Sequence, residues 1–282
     1  MPEGDTIFRA ARTLNLALAA RTVTAFSSVY PALTRIDEDA PITGRTITSV
    51  EAQGKHLLIH FGPPPSPLTL RTHMRMSGSW HIYRPGEKWQ LPRRDARIVL
   101  ETADYIAVGF NVPVAEFLDA TQFARQEDLK RIGPDLLGDT FDEDEAIRRL
   151  VARGAQPIAD ALLNQRVVAG IGNVYKSETL FIERLHPATP ATAIGEAELR
   201  ALLRTARRLL TVNVADASAE IVTYRGLRRT TGRSDPAERL WVYGRGGKPC
   251  RRCGTPISFA RMGPNARGTY WCEGCQKPFS GS

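Results

Sequence analysis

Residues 250–275 read CRRCGTPISFARMGPNARGTYWCEGC, and they hold every cysteine of the 282-residue chain: Cys250, Cys253, Cys272 and Cys275. Each pair is spaced C-x2-C, with eighteen residues between the pairs. Two thiolates at that spacing sit on one tight turn and share a metal ion. Two such turns complete the four-sulfur tetrahedron that zinc accepts. Two disulfides are the alternative, but they need an oxidising compartment, and nothing else in the chain points to one. Four protein ligands leave no open position, so the expectation is one zinc ion with a structural role. Between the pairs, Ile257–Phe259 and Thr269–Trp271 predict two short strands, joined by a turn at Pro264-Asn265-Ala266-Arg267-Gly268. The predicted element is a zinc-pinned hairpin with Arg267 at its tip.

The charge of the chain is concentrated around that hairpin. The net charge is +8, yet residues 1–140 hold 16 basic and 16 acidic side chains and residues 141–220 hold 10 and 11. Residues 221–282 hold 12 basic and 3 acidic. Such a concentration suits a polyanion, because cations that meet phosphates release condensed counterions; a solvated basic tail is the plainer alternative. No run of about 18 apolar residues occurs, so no membrane span is expected. The N-terminus lacks a signal-peptide pattern: Glu3 and Asp5 stand in place of basic residues, and Leu14–Ala20 is short and interrupted by Asn15. The expected location is the cytoplasm.

Upstream of the hairpin the texture changes twice. Ile7, Ala10, Ala11, Leu14 and Leu18 share one helical face within residues 5–20. From 22 to 117, short apolar runs alternate with turn-rich segments: Val23–Phe26, Ile47–Val50, His56–Phe61, Leu68–Arg71, Trp80–Tyr83, Ile98–Glu101 and Tyr105–Phe110. Short strands at that spacing predict a β-sandwich. Near Arg131-Ile132-Gly133-Pro134 the pattern turns helical. Asp142 and Glu145 predict a capping box ahead of a helix ending at Gly154, and Pro157 starts a helix over 158–168. Further helices are expected over 173–184 and 196–212. The fold class is thus α+β and multidomain: an N-terminal β-sandwich with a flanking helix (1–128), a helical domain (129–238) and the zinc hairpin (239–282).

Two short motifs carry chemistry. In Ala169-Gly170-Ile171-Gly172-Asn173 the glycines let the backbone approach a ligand, and Asn173 opens a helix whose first N–H groups suit a phosphate; an ordinary helix–helix turn has the same look. At the other end, removal of Met1 would leave a secondary α-amine on Pro2. Such amines have a pKa of roughly 7.7–8.0 and attack sugar aldehydes to give Schiff bases. Glu3 beside it could move protons. Many chains that do no such chemistry also begin this way.

Taken together, PEG (2–4), QGKHLL (53–58), HMRMSGSW (73–80), LLNQRVVAGIGNVYKSE (162–178) and the cysteine hairpin resemble the formamidopyrimidine-DNA glycosylase / endonuclease VIII family of base-excision repair. The motifs span nearly the whole chain in that family's order. The resemblance implies a helix–two-turn–helix in the middle domain and a bifunctional DNA glycosylase/AP lyase acting on damaged double-stranded DNA as a monomer. It implies Pro2 as nucleophile, Glu3 as acid/base partner and Lys55 at the sugar and adjacent phosphate. Gly172 and Asn173 would bind phosphates, Arg267 would reach the damaged strand, His73 would contact phosphate, and Met76 would fill the space left by a flipped nucleotide. A lesion-binding protein without turnover is the alternative.

The chain departs from the family pattern in two places. Asp5-Thr6 replaces a Pro-Glu pair, which removes an accessory carboxylate. GFNVPVAEFL (109–118) stands where the 8-oxoguanine branch carries Arg-Arg-Phe-Gly. Together with PEG in place of PEL, this points to the endonuclease VIII branch, to oxidised pyrimidines and to β,δ-elimination. The lesion loop is expected near 226–238.

Overall fold

The computed structural model describes residues 2–63, 66–215, 221, 228–233 and 235–279. Positions 226, 227 and 234 of the expected lesion loop lie outside the described residues. The chain divides into two compact units. One holds residues 1–2, 6–130 and 217–225; the other holds residues 3–5, 131–216 and 226–282.

The first unit is the expected sandwich. Helix α1 (Gly4–Leu18) precedes β1 (Val23–Ser28) and α2 (Pro31–Asp39). Then follow β2 (Ile47–Gln53), β3 (His56–Phe61), β4 (Leu68–His73), β5 (Ser79–Tyr83), β6 (Ala96–Thr102), β7 (Ile106–Phe110) and β8 (Val114–Asp119). They form two antiparallel four-stranded sheets, ordered β1-β6-β7-β5 and β2-β3-β4-β8. Phe117 of β8 packs on Phe26 of β1 and Phe61 of β3, at centroid distances of 5.4 and 6.1 Å, so both sheets share one core. Ile7, Leu14 and Leu18 bury the predicted face of α1 in that core. The stretch GFNVPVAEFL closes β7, turns at Asn111 (φ 49°) and becomes β8, the strand that completes the second sheet beside β4.

Two short helices, α3 (Ala120–Ala124) and α4 (Glu127–Lys130), lead out of the sandwich. In the second unit, α5 (Glu143–Val151), α6 (Ile158–Leu163), α7 (Asn173–Ile182) and α8 (Glu196–Ala215) enclose a core of aliphatic residues. Asp142 caps α5 by accepting from the Glu145 amide at 2.9 Å. The reciprocal half of the expected box is absent, because the Glu145 carboxylate accepts from Arg148 and Arg149 instead.

Helix α6 stops at Leu163 and does not reach the expected 168. Asn164 leaves the helix (φ −78°, ψ 105°), and its side chain accepts from the Arg166 amide at 3.0 Å. Gln165 then pins the turn, donating to the Leu163 and Ile171 carbonyls and accepting from the Gly170 amide. A side chain that satisfies backbone groups locally competes with helix continuation.

The hairpin pairs β9 (Ile257–Met262) with β10 (Arg267–Cys272), register Arg267↔Met262 to Cys272↔Ile257. Its turn spans Gly263 to Ala266, both at positive φ, so Arg267 is the first strand residue after the turn and not its tip.

Candidate functional site

The four cysteine sulfurs all lie within 4.8 Å of one another. Pairs stand 3.9 Å (Cys250–Cys275), 3.4 Å (Cys253–Cys272) and 3.5 Å (Cys253–Cys275) apart. A tetrahedron with zinc–sulfur bonds of about 2.3 Å has edges of about 3.8 Å, whereas a disulfide brings sulfurs to about 2.05 Å. All four thiols are free, so the donor set fits one structural zinc.

The start of α7 is the centre of the second unit's polar chemistry. Its first free amides do not wait for a phosphate. The Glu3 carboxylate is seated on them, accepting from the Val174 amide at 2.8 Å and the Tyr175 amide at 3.3 Å. An anion at a helix N-terminus is favourable through both the orphan N–H groups and the dipole. The glycines explain the fit. A Cβ on Gly172 would fall 2.2 Å from Glu3 Cδ, and a Cβ on Gly4 would fall 2.7 Å from Gly170 Cα. The Gly4 amide donates to the Gly170 carbonyl at 2.9 Å. PEG and AGIGN are therefore two halves of one joint.

Gly172 occupies the cap position of α7, and Asn173 is the first helical residue. The Asn173 side chain turns to the hairpin, with Nδ2 donating to the Gly268 carbonyl at 2.6 Å. Arg267, one residue earlier, is exposed, and its guanidinium forms no hydrogen bond or ion pair among the described residues.

Several participants escaped sequence reasoning. Asp5 is 1% exposed and receives both Nε (2.9 Å) and Nη2 (2.9 Å) of Arg228, whose guanidinium also lies over the Tyr175 ring. The Pro-Glu replacement therefore does not leave the segment without a carboxylate: Asp5 supplies one, one position earlier. Burial works against the Arg228 charge, but Asp5 and Glu3 outweigh it and hold its pKa above the ordinary value. Lys176 is buried on α7, and burial lowers it to about 8. Glu178, also buried, accepts from the amides of Trp241, Val242 and Tyr243, each at 2.8 Å, and from the Thr230 hydroxyl. Lys176 and Glu178 lie inside the motif quoted at 162–178, but nothing in that stretch names their partners outside it, which come from residues 230–269.

Pro2 is half-buried and directly precedes Glu3. The remaining predicted residues lie in the first unit. Lys55 sits with Gly54 (φ 58°) in the two-residue turn between β2 and β3. The positive φ at the first turn position is the type II′ pattern that glycine favours. His73 ends β4; its Nδ1 accepts from the Arg75 amide at 3.0 Å, which leaves the proton on Nε2. Burial and the neighbouring Arg75, Lys55 and Arg71 charges lower its pKa to about 4, so it is a neutral donor at pH 7. The chain then turns through Arg75 (φ 46°), and Gly78 approaches so closely that a Cβ would meet the Met74 carbonyl oxygen at 2.6 Å. Met74 is buried, while Met76 is 63% exposed at the turn.

Three family models cover most of the chain. Residues 1–126 match the formamidopyrimidine-DNA glycosylase N-terminal domain, 132–224 the H2TH domain of that glycosylase, and 247–278 a zinc finger found in FPG and IleRS. The chain is 39% identical to the probable endonuclease 8 2 of Streptomyces coelicolor, covering 98% of this chain and 94% of that one. It is also 39% identical to the DNA-(apurinic or apyrimidinic site) lyase Nei2 of Mycolicibacterium smegmatis, covering 98% and 99%. Among solved structures it resembles a complex of Lactococcus lactis Fpg with DNA containing an abasic site. That likeness has 25% identity and a TM-score of 0.79, covering 98% of this chain and all of that one.

Proposed function

The chain belongs to the formamidopyrimidine-DNA glycosylase / endonuclease VIII family, and from that premise we propose how its residues divide the work. The protein is a DNA glycosylase with AP lyase activity in base-excision repair, and its partner is damaged DNA. Pro2, freed of Met1, supplies the nucleophile. Its neutral amine attacks C1′, and the glycosidic bond breaks, its electron pair leaving with the base as that base gains a proton. The amine loses its proton, the C1′–O4′ bond breaks with its electron pair going to O4′, which is protonated, and a C1′ iminium is left. Loss of a C2′ proton then expels the 3′ phosphate, and a second elimination expels the 5′ phosphate. Water hydrolyses the iminium, which releases the sugar remnant as an aldehyde and restores the amine. Glu3 moves protons at this centre, and Lys55 assists at the sugar and its phosphate.

The observation that carries this reading is the docking of Glu3 on the Val174 and Tyr175 amides, which anchors the residue bonded to Pro2. Asn173, Gly172, Arg267 and His73 meet the backbone, and exposed Met76 fills the gap left by the flipped nucleotide. Oxidised pyrimidines are the substrates. The chain acts as a monomer in the cytoplasm on the nucleoid, with a catalytic sandwich at 1–128, a helix–two-turn–helix domain at 129–238 and a zinc hairpin at 239–282. Among the described residues no helix is long and apolar enough to cross a membrane.

Borohydride trapping on duplex DNA carrying 5-hydroxycytosine tests the nucleophile. The natural chain gives a covalent adduct; an N-terminal extension, which turns the Pro2 amine into an amide, abolishes it. Unchanged trapping would exclude Pro2. Binding of abasic duplex without any nicking would instead favour a lesion-binding protein.

A further inference from the structure

Lys176 is 1% exposed. Its ammonium has three protons, and three acceptors surround it: Asn173 Oδ1 at 2.7 Å, Thr269 Oγ1 at 2.7 Å and the Gly268 carbonyl at 3.4 Å. No donor is left over for a phosphate. The side chains of Asn173 and Lys176, one helical turn apart on α7, thus converge on one stretch of the hairpin: both donate to the Gly268 carbonyl, and Lys176 also donates to its neighbour Thr269. Those two residues directly follow Arg267 in β10. On the other side of Arg267, the hairpin turn is seated against α6: a Cβ on Gly263 would fall 2.2 Å from Asp160 Oδ1. The exposed arginine is therefore bracketed by two anchor points on the helical domain. The charged groups facing Lys176 are Asp160 from α6, Glu3 from the N-terminal segment and Arg267 from β10. Burial lowers the Lys176 pKa to about 8, opposed by Asp160 and Glu3 and reinforced by Arg267.

We propose that Lys176 is a positioning residue for the reaction: it fixes the orientation of the Asn173 amide and the backbone at Gly268–Thr269, and so sets where Arg267 meets the damaged strand. It lies inside the 162–178 motif, but its three donors are spent within the protein, so it acts through its neighbours. The inference rests on the reading that Arg267 and Asn173 contact DNA.

The test uses the full, zinc-loaded chain and a duplex with a tetrahydrofuran abasic analogue, with Kd measured over a salt series. Arg267→Ala weakens binding and lowers the slope of log K against log salt by about 1, as loss of one phosphate contact requires. Lys176→Met weakens binding about tenfold, the scale of a charge-assisted hydrogen bond, and added to Arg267→Ala it lowers the slope no further. The double variant falls short of the product of the two single effects by at least about threefold, because one residue acts through the other. Effects that multiply in full, a slope that drops further when Lys176→Met is added to Arg267→Ala, or full affinity in the Lys176→Met variant would each overturn the proposal. If Lys176→Met fails to fold, Thr269→Val removes one of the same acceptors, and the same shortfall against Arg267→Ala is expected. If Arg267→Ala itself leaves affinity and slope unchanged, the functional reading of the hairpin fails at its root.

Discussion

Gly172 shows what a single residue decides. As sequence, the GIG turn reads as a place where backbone approaches a phosphate at a helix start. The ligand seated there is the chain's own Glu3, whose Cδ lies where a Cβ would need to be, 2.2 Å away. The sequence could not reveal this, because PEG and AGIGN are separated by more than 160 positions and neither alone encodes its partner. The same holds for Asp5, whose value depends on Arg228. Gly172→Ala must displace Glu3. The expected outcome is a folded protein destabilised by about 1–3 kcal/mol, as for overpacking elsewhere. Borohydride trapping should slow by at least about a hundredfold, the low end of what a lost acid/base group costs. Thermal melting and single-turnover trapping measure the two effects; trapping at the natural rate would show that the Glu3 seat is irrelevant to the chemistry.

At the scale of elements, legibility followed local periodicity. The strongly patterned α1, α8 and β3 were readable to within a few residues, as were the seven apolar strands. Strand β8 was not, because VAEFLD follows a proline and places Glu116 between apolar residues; it earns its place only by pairing with β4. Helix α2 begins at Pro31 in a turn-rich stretch and offers one buried residue, Leu33.

The β3–β4 ladder also carries a titration that no pattern announces. The His56 and His73 rings meet edge to face at 5.0 Å across it. Burial, then the charges of His73 and Arg71, lowers His56 to about 4, with Asp128 opposing. The folded value thus lies below the unfolded value of about 6.5, and between the two the unfolded chain binds more protons. Stability is full above pH 6.5 and is lost as pH falls toward 4, on the order of 3 kcal/mol for His56. Urea unfolding at pH 7 and pH 5 should show a loss on the order of 2 kcal/mol from His56, added to that of His73, whose value is lowered to about 4 as well, and His56→Gln should lack the His56 share. Equal losses in both proteins would remove His56 as the cause.

At the scale of the whole molecule, the cysteine spacing foretold a clamp, and the charge count placed 12 of the 38 basic side chains in residues 221–282. What it clamps is visible only in three dimensions. The zinc element grips α7 along its length: Asn173 and Lys176 bond to β10 at the start, Glu178 receives the 241–243 amides in the middle, and Arg252 donates to the Phe181 and Ile182 carbonyls at the end. Its own core is small: among the described residues, Val242, Cys250, Ile257 and Cys272 are buried there, packed with Phe181 of α7. A core that size does not hold itself, so the metal supplies the folding energy. The sandwich has a separate core that includes none of these residues. Chelation, or Cys250→Ser, should therefore lower abasic-duplex binding and cleavage by at least about a hundredfold, since it releases together Asn173 and Arg267, the two residues proposed to meet the DNA backbone. Limited proteolysis should still yield a resistant fragment ending near residue 130, and added zinc should restore activity to the chelated protein but not to the variant. A metal-free protein that cleaved normally would mean that the clamp and the chemistry are independent, and that the contacts along α7 hold without it.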